Sequence, residues 1–260
     1  MTGFIGGGNM ADALIKGMLS KGMKDIIVSE PRPDRRKYLE DTYLIKTTSN
    51  NLDVIKECNI IILAVKPQQM EEVLNEIRDS VTEEKTVVSI AAGITLSYIQ
   101  SKLKTKRLVC VMPNVGAFVG EGMSVISLCE CFDDKDIRTV RDIFMSVGKV
   151  ITLPEKYIDA VTALSGSGPA FIAYFIEAMI DTGVKIGIKE EDAVTLTVQT
   201  ALATARLLEE GMTPKRLMEI VTSPGGTTEA GLKVFEEKHL REIVEDALNA
   251  AVKRAKELSK

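Results

Sequence analysis

The feature that most constrains the fold of this sequence is a glycine triplet between a short apolar segment and a helical pattern. Residues 1–11 predict one strand that stops at Gly6-Gly7-Gly8 and continues as a helix. This order is typical of a dinucleotide site, because Gly8 lets the backbone approach a pyrophosphate and Ala11 permits close helix packing. Free amides at the helix start, near Asn9 and Met10, would face the phosphates. A purely structural tight turn is the alternative.

Continuous apolar runs bounded by turn residues predict further strands, buried on both faces of a parallel sheet. The predicted strands are residues 26–28, 60–65, 86–90 and 108–112, with 124–128 and 150–153 as edge additions. Ligands of open parallel sheets bind outside the carboxyl ends of the strands, and here those ends carry small residues, Lys66-Pro67 and Pro113-Asn114. The first part of the chain is therefore predicted to be an α/β Rossmann-type dinucleotide-binding domain.

The pattern changes near Pro154, after which helical stretches are separated by segments rich in glycine, proline and serine. We therefore predict an NAD(P)-binding domain at residues 1–153 and an all-helical dimerisation and substrate-binding domain at 154–260. Pro169 and Thr213-Pro214 are suited to helix starts. Apolar and small residues share one side of the helix predicted at 190–210, namely Val194, Val198, Ala201, Ala205 and Leu208. Such faces commonly pack against another copy, and a self-contained bundle is the alternative.

Composition excludes several classes of protein. A net charge of −4 argues against nucleic-acid binding, which favours a basic surface. No apolar run approaches the roughly 20 residues of a membrane span, and no leader segment is evident, so we expect a cytoplasmic protein. The cysteines, at 58, 110, 129 and 131, and the single histidine, His239, lack zinc-site spacing, so no metal is expected. Cys129 and Cys131 are interpreted as reduced thiols, with a redox pair as the alternative.

The most unusual segment of the second half is the loop at residues 222–228. Pro224 fixes one backbone dihedral, Gly225 and Gly226 permit conformations closed to other residues, and Thr227-Thr228 begins the next helix. Free amides at that helix start would bind a small carboxylate. A plain helix–helix connection is the alternative interpretation.

Several motifs, in this order and spacing, together resemble the pyrroline-5-carboxylate reductase family from one end of the chain to the other. The matching segments are residues 3–10, Ala64-Val65-Lys66-Pro67, 89–93, Met112-Pro113-Asn114, 163–171, 223–228 and Gly231-Leu232. The resemblance implies the last step of proline biosynthesis, in which NADPH or NADH delivers hydride to C5 of a cyclic imine. It also implies a homodimer or a decamer as the assembled form.

At the positions that match the family's motifs, the resemblance implies one set of residues that binds the cofactor and another set that binds the substrate. The cofactor residues are Gly6, Gly7, Gly8, Asn9, Met10, Asn51, Ala64, Val65, Lys66, Pro67 and Ala92, with Ser29 and Arg32 at the adenosine end. The substrate residues are Ser223, Gly225, Gly226, Thr227 and Thr228, and the Thr228 hydroxyl is the catalytic group at the ring nitrogen. Lys66 is alternatively a solvated residue. Asn114 either contacts the substrate or caps a turn.

The residues around Glu30 leave the choice of cofactor open. An acid at this position would bind the ribose 2′-hydroxyl and repel a 2′-phosphate, which favours NADH. Arg32, Arg35 and Arg36 follow it, and their guanidinium groups could bind a 2′-phosphate or form a solvated helix face. We expect both cofactors to work, with some preference for NADPH.

Three other functions are compatible with a Rossmann-type first domain. A β-hydroxyacid dehydrogenase would place a lysine and an asparagine on the helix at residues 169–181, which contains neither. A related reductase of another imine remains open. So does a non-catalytic NAD(P) sensor, although a sensor has no need of the carboxylate site predicted at residues 222–228.

Overall fold

The structure is a computed structural model that describes residues 1–129 and 134–259 of the 260-residue chain. Cys131, one of the two neighbouring thiols discussed above, lies outside the described residues. The strands are β1 Thr2–Ile5, β2 Ile26–Ser29, β3 Lys46–Thr48, β4 Ile60–Leu63, β5 Thr86–Ser89, β6 Leu108–Met112, β7 Gly122–Leu128 and β8 Gly148–Thr152. The helices among them are α1 Asn9–Ser20, α2 Pro33–Tyr43, α3 Asn51–Glu57, α4 Met70–Ile77, α5 Leu96–Lys102 and α6 Asp134–Met145.

Beyond the last strand the described chain is helical, as the sequence predicts. The helices there are α7 Ile158–Val161, α8 Gly168–Lys185, α9 Glu190–Glu209, α10 Pro214–Val221, α11 Thr227–Glu237 and α12 Leu240–Leu258, with a π-helical turn at Thr162–Gly166. Two compact units result: Met1–Ser167 with Ala251–Lys260, and Gly168–Ala250. The predicted boundary between residues 153 and 154 follows the change from strands to helices instead, and it stays a prediction.

In the described residues, eight strands form one sheet in the order β3-β2-β1-β4-β5-β6-β7-β8. All neighbours are parallel except β6 and β7, which are antiparallel. The strand order reverses between β1 and β4. The carboxyl ends of these two strands are therefore the place where an open α/β sheet forms its ligand crevice.

Alternation along the central strands divides the core between the two faces of the sheet. Phe4 and Ile62 belong to a cluster with residues of α1 and α6, whereas Ile5 and Ile61 belong to a second cluster with residues of α3, α4 and α5. Each fully buried side chain of this size contributes about 1.5–3 kcal/mol of transfer free energy. Both faces are thus covered, which explains why these strands are continuous apolar runs in the sequence.

The structure departs from the predicted strands in three respects. The segment predicted as an edge strand at residues 124–128 belongs to β7, which pairs with both β6 and β8, so only β8 lies at that edge of the sheet. The strands predicted at residues 60–65 and 86–90 end earlier, at Leu63 and Ser89, so Ala64 and Val65 lie in the loop beside the crevice. The edge strand Lys46–Thr48 has no apolar pattern and was not predicted. It is held by parallel pairing with β2, in the register Ile27 opposite Lys46.

In the second unit, the helix start predicted at Thr213-Pro214 is confirmed, since the Thr213 hydroxyl caps the Arg216 amide. The apolar side predicted for α9 stays largely exposed within the single chain. Val194 is 39% exposed and Val198 is 49% exposed, whereas the buried residues of α9 are Ala193 and Thr197. An exposed apolar helix face of this kind is available for self-association.

One helical run in the described residues, Glu155–Lys185, is long and apolar enough to cross a membrane by length and composition alone. This corrects the expectation that no apolar run approaches that length. Glu177 and Asp181 interrupt the apolar residues of α8, so the sequence shows no continuous apolar run of that length.

Candidate active site

The glycine turn follows β1 at the point where the strand order reverses. The surroundings of its three glycines differ. Gly6 has a φ of +99°, and a Cβ there would lie 2.6 Å from the carbonyl oxygen of Ala64. At Gly7 a Cβ would lie 2.9 Å from Leu39 Cδ1. At Gly8, the N-cap of α1, a Cβ would meet nothing within 4 Å. The turn therefore needs glycine at position 6 for its backbone conformation, a side chain at Gly7 would require Leu39 to shift, and Gly8 leaves open space.

That open space belongs to a cavity of about 540 Å³, a volume typical of small-molecule sites. Its lining residues are Gly6, Gly8, Glu30, Pro31, Arg32, Ala64, Val65, Lys66 and Gln69. The amides of the first turn of α1 have no intrahelical acceptor, and Gly8 has no side chain to cap them. A bare helix N-terminus beside an open cavity fits the pyrophosphate of a dinucleotide. Sequence reasoning missed Gln69, which follows the predicted residue Pro67 by two positions, whereas Pro31 lies between the predicted residues Ser29 and Arg32.

Two other predicted cofactor residues line a second cavity of the first unit. Pro67 and Ala92 lie beside Gly93, Ala255 and Leu258 around a volume of about 320 Å³. No sequence signal connects the last turn of α12 with this loop, because the two segments are far apart along the chain.

The remaining predicted cofactor residues have diverse surroundings. Asn9 and Met10 form the first turn of α1. Ser29 is buried, and its carbonyl oxygen accepts a hydrogen bond of 2.8 Å from the Gly6 amide. The side-chain amide of Asn51 donates to Glu76 at 2.7 Å.

Glu30 does not face the cavity as a free acid. Its Oε2 accepts a hydrogen bond of 2.9 Å from the Gly7 amide, and its Oε1 accepts from the Arg32 amide at 3.1 Å and from Arg32 Nε at 2.9 Å. The residue is 4% exposed. Burial raises the pKa of Glu30, but the hydrogen bonds from Arg32 and Gly7 outweigh it and hold that pKa below its ordinary value of 4.5. The carboxylate that the sequence assigned to the ribose therefore already accepts hydrogen bonds from Gly7 and Arg32.

The lowered pKa predicts how stability changes with pH. A carboxylate whose pKa is lower in the folded chain stabilises the fold above the unfolded value, and this contribution is lost as the pH falls through the folded value. Glu30→Gln should therefore cost about 2 kcal/mol in the free energy of unfolding at neutral pH, and the difference from wild type should shrink below about pH 4.5. Chemical unfolding at a series of pH values measures both quantities.

Asp34→Asn is the matched control, because Asp34 is an exposed acid in the first turn of α2, four positions after Glu30. Its effect on the free energy of unfolding at neutral pH should be small. A Glu30→Gln deficit that stays constant from neutral pH to about pH 3 would contradict the role assigned to the carboxylate.

The other two arginines of this segment hold backbone carbonyls. Arg35 Nε donates to the Gly7 oxygen at 2.6 Å, and Arg35 Nη2 lies 3.0 Å from Asp12 Oδ1. Arg36 Nη1 donates to the carbonyl oxygens of Glu30 at 2.7 Å and Pro31 at 2.9 Å. Arg32 differs, because its side chain is 60% exposed and lines the 540 Å³ cavity.

The loop at residues 222–228 forms the second candidate site and lies wholly in the second unit. Gly225 has a φ of +70°, and the Gly226 amide donates to the Ser223 carbonyl oxygen at 2.9 Å. Gly226 is the N-cap of α11, so Thr227 and Thr228 begin that helix as predicted. A Cβ on Gly226 would lie 2.5 Å from Ser223 Oγ, so only glycine fits there. The loop thus brings together the predicted substrate residues.

Glu229 is a residue of this loop that sequence reasoning missed. Its Oε2 accepts a hydrogen bond of 2.6 Å from the Gly225 amide. A glutamate at the third position of a helix commonly reaches back to an amide at the helix start, and that spacing is the signal that could have identified it.

Asn114 caps a turn, which was the alternative given for it. Its Oδ1 accepts from the amides of Gly116 at 3.1 Å and Met123 at 3.0 Å, and its Nδ2 lies 3.2 Å from Ser165 Oγ. All of its side-chain contacts are structural.

A doubly wound sheet, a glycine turn at its switch point and a bare helix N-terminus beside a cavity define a dinucleotide-binding protein of the Rossmann class. Two family models match the chain: NADP oxidoreductase coenzyme F420-dependent over residues 1–93, and pyrroline-5-carboxylate reductase dimerisation over residues 155–258. The second match covers the exposed apolar helices, including the whole run Glu155–Lys185.

Known proteins resemble the chain over its whole length. Pyrroline-5-carboxylate reductase of Methanosarcina acetivorans is 41% identical, with 99% of this chain and 97% of that protein covered. The structure of the reductase from Coxiella burnetii has a TM-score of 0.93 at 38% identity and covers 100% of this chain and 98% of that one. The structure of Plasmodium falciparum pyrroline carboxylate reductase with NADP bound has a TM-score of 0.88 at 31% identity, covering 100% and 98%. The chain belongs to the pyrroline-5-carboxylate reductase family.

Proposed function

We propose that this chain reduces L-1-pyrroline-5-carboxylate to L-proline with NADPH or NADH, the final step of proline biosynthesis. The observation that carries this proposal is the similarity to reductases of that name over 99% of the chain, at 41% identity. In the reaction a hydride adds to C5 of the carbon–nitrogen double bond and a proton completes the ring amine. The nicotinamide cofactor, when bound, supplies the hydride.

The first unit binds the cofactor in this proposal. The amides of Gly8, Asn9 and Met10 hold the pyrophosphate at the start of α1, where the helix dipole also favours an anion. Ala64, Val65 and Lys66 line the cavity along the rest of the dinucleotide. Pro67 and Ala92, together with Asn51 and Ser29, complete the proposed set.

The second unit binds the substrate. In this proposal Ser223, Gly225, Gly226 and Thr227 form the carboxylate site. The Gly225 and Gly226 amides already donate to Glu229 and to the Ser223 carbonyl oxygen, so the amides at the start of α11 hold the carboxylate of the imino acid. The Thr228 hydroxyl hydrogen-bonds the ring nitrogen and either orients it or supplies its proton. A protonated imine is already electrophilic, so the protein's task is positioning rather than strong acid catalysis. This agrees with a site that contains no histidine among its proposed residues.

The experiment that tests the activity mixes the purified chain with reduced cofactor and pyrroline-5-carboxylate and follows the near-ultraviolet absorbance of the cofactor. Substrate-dependent oxidation is expected. Oxidation with the six-membered homologue alone would indicate a reductase of another imine. Cofactor binding without turnover of either ring would indicate a nucleotide sensor.

We propose a preference for NADPH that depends on Arg32 alone among the three arginines, because Arg35 and Arg36 hold backbone carbonyls. Arg32→Ala should lower kcat/KM for NADPH by about tenfold or more and change that for NADH by less than about threefold. Steady-state kinetics with each cofactor measure this.

Lys37→Ala is the control for loss of positive charge, because Lys37 is an exposed cation on the same helix. Lys37→Ala should have only a small effect on kcat/KM, and the effect should be the same for NADPH and for NADH. A large preference of the wild type for NADH, or an equal loss for both cofactors in Arg32→Ala, would contradict the assignment.

The active form is proposed to be a homodimer or a decamer, built through the helices matched by the dimerisation model. The enzyme is proposed to act in the cytoplasm, without nucleic acid or membrane partners. Sedimentation of the purified chain over a range of concentrations measures the assembly, and a monomer at all concentrations would contradict it.

A further inference from the structure

Arg35 has an arrangement that neither the reaction nor the choice of cofactor explains. Its side chain is 18% exposed and reaches from α2 back to the glycine turn. Nε donates to the Gly7 carbonyl oxygen at 2.6 Å, and Nη2 lies 3.5 Å from the Gly8 carbonyl oxygen and 3.0 Å from Asp12 Oδ1. The guanidinium carbon lies 4.6 Å from the ring centroid of Tyr38. Four neighbours thus fix the orientation of this one cation.

The opposite end of Gly7 is fixed as well. The Gly7 amide donates to Glu30 Oε2 at 2.9 Å in a buried hydrogen bond, while the Gly7 carbonyl accepts from Arg35. Two successive peptide groups of the turn are therefore held by side chains of the segment that follows β2. Glycine has no side-chain restraint of its own, so without these bonds many backbone conformations of the turn are accessible.

The orientation of these peptide groups determines which amides remain for a ligand. In a trans peptide the carbonyl and the following amide point in opposite directions. With the Gly7 carbonyl turned to Arg35, the Gly8 amide points away from Arg35. The Gly7 amide is already bound to Glu30, so it is unavailable to a phosphate.

We propose that Arg35 is a positioning residue for the pyrophosphate: it holds the Gly7 carbonyl, and through that peptide it directs the Gly8 amide at the cofactor. Glu30 assists by holding the Gly7 amide on the other side. Arg35 therefore serves both cofactors equally, whereas Arg32, which lines the cavity, serves the 2′-phosphate. This assignment concerns the cofactor alone and does not depend on the identity of the imine.

Two fragments of the cofactor separate these roles in a binding experiment. ADP-ribose contains the pyrophosphate without a 2′-phosphate, and 2′-AMP contains a 2′-phosphate without the pyrophosphate. Isothermal calorimetry measures the affinity for each fragment. Arg35→Met should lower the affinity for ADP-ribose by about tenfold or more and change the affinity for 2′-AMP by less than about twofold. Arg32→Met, the matched control, should show the reverse pattern. Arg35→Lys should recover part of the affinity for ADP-ribose, because an ammonium can still donate to the Gly7 carbonyl.

The remaining outcomes overturn the proposal. Unchanged affinity for ADP-ribose in Arg35→Met would show that the turn needs no such support. Equal weakening of both fragments would assign Arg35 to the fold alone, and selective weakening of 2′-AMP would make it a 2′-phosphate ligand. If Arg35→Met fails to fold, Asp12→Asn takes its place, because it removes the negative charge that orients the Arg35 guanidinium and so loosens its hydrogen bond to the Gly7 carbonyl. Asp12→Asn should lower the affinity for ADP-ribose by about threefold without changing the affinity for 2′-AMP. An unchanged affinity for ADP-ribose would count against the proposal.

Discussion

Replacing Thr228 with alanine should lower kcat/KM for pyrroline-5-carboxylate by about 10² or more, because one positioned hydrogen bond to a reacting group typically contributes that much. Thr228 lies in the first turn of α11, directly after the Gly226 N-cap, so its hydroxyl belongs to the same helix start as the loop amides. Steady-state kinetics at saturating cofactor measure the effect. Most of the loss should appear in kcat, since the carboxylate contacts of the loop remain.

Two variants serve as controls for Thr228→Ala. Thr228→Ser keeps a hydroxyl and should recover most of the activity. Thr222→Ala makes the same chemical change in the same loop, but the Thr222 hydroxyl donates to the Met218 carbonyl oxygen of its own helix at 2.7 Å. It should therefore leave kcat/KM within about threefold of wild type. A change under about threefold in Thr228→Ala itself would remove the catalytic assignment.

Replacing Gly8 with alanine should raise the KM for both NADPH and NADH by about 10-fold to 100-fold while the chain still folds. The backbone of Gly8 has φ −70° and ψ −174°, which any residue adopts, and an added Cβ meets no atom within 4 Å. The free energy of unfolding should therefore stay within about 1 kcal/mol of wild type. The methyl group instead occupies the space through which the pyrophosphate approaches the backbone.

Gly7→Ala is the matched variant with the opposite expected behaviour. Its Cβ would lie 2.9 Å from Leu39 Cδ1 and 3.3 Å from Glu30 Cβ, so it should lower stability by about 1–3 kcal/mol. Thermal unfolding without cofactor and titration with each cofactor distinguish the two variants. Unimpaired cofactor binding by Gly8→Ala would contradict the placement of the pyrophosphate at this turn.

The sequence predicts those parts of the fold that depend on local pattern. The glycine triplet after β1 and the long apolar runs identify the parallel strands, because both faces of the sheet exclude water. The predicted cap at Thr213 and the predicted helix start at Thr227 are also confirmed, because a helix start depends on residues that are close together in the sequence. The edge strand Lys46–Thr48 escapes prediction because its pairing with β2, rather than its own composition, stabilises it.

The candidate sites are less predictable, because they depend on where side chains point. Glu30 has the spacing expected of a ribose ligand, yet its carboxylate is bound to Gly7 and Arg32. Arg35 and Arg36 resemble Arg32 in sequence but hold carbonyl oxygens. Nothing in the pattern of charges distinguishes the three arginines, since the distinction arises from the geometry of one turn.

The most direct test of the central claim uses reduced cofactor that carries deuterium at the transferred position, together with unlabelled pyrroline-5-carboxylate and the purified chain. We expect proline with a single deuterium at C5, formed in step with oxidation of the cofactor. Proline without deuterium, or oxidation of the cofactor without formation of proline, would contradict the claim that this chain transfers hydride to the cyclic imine.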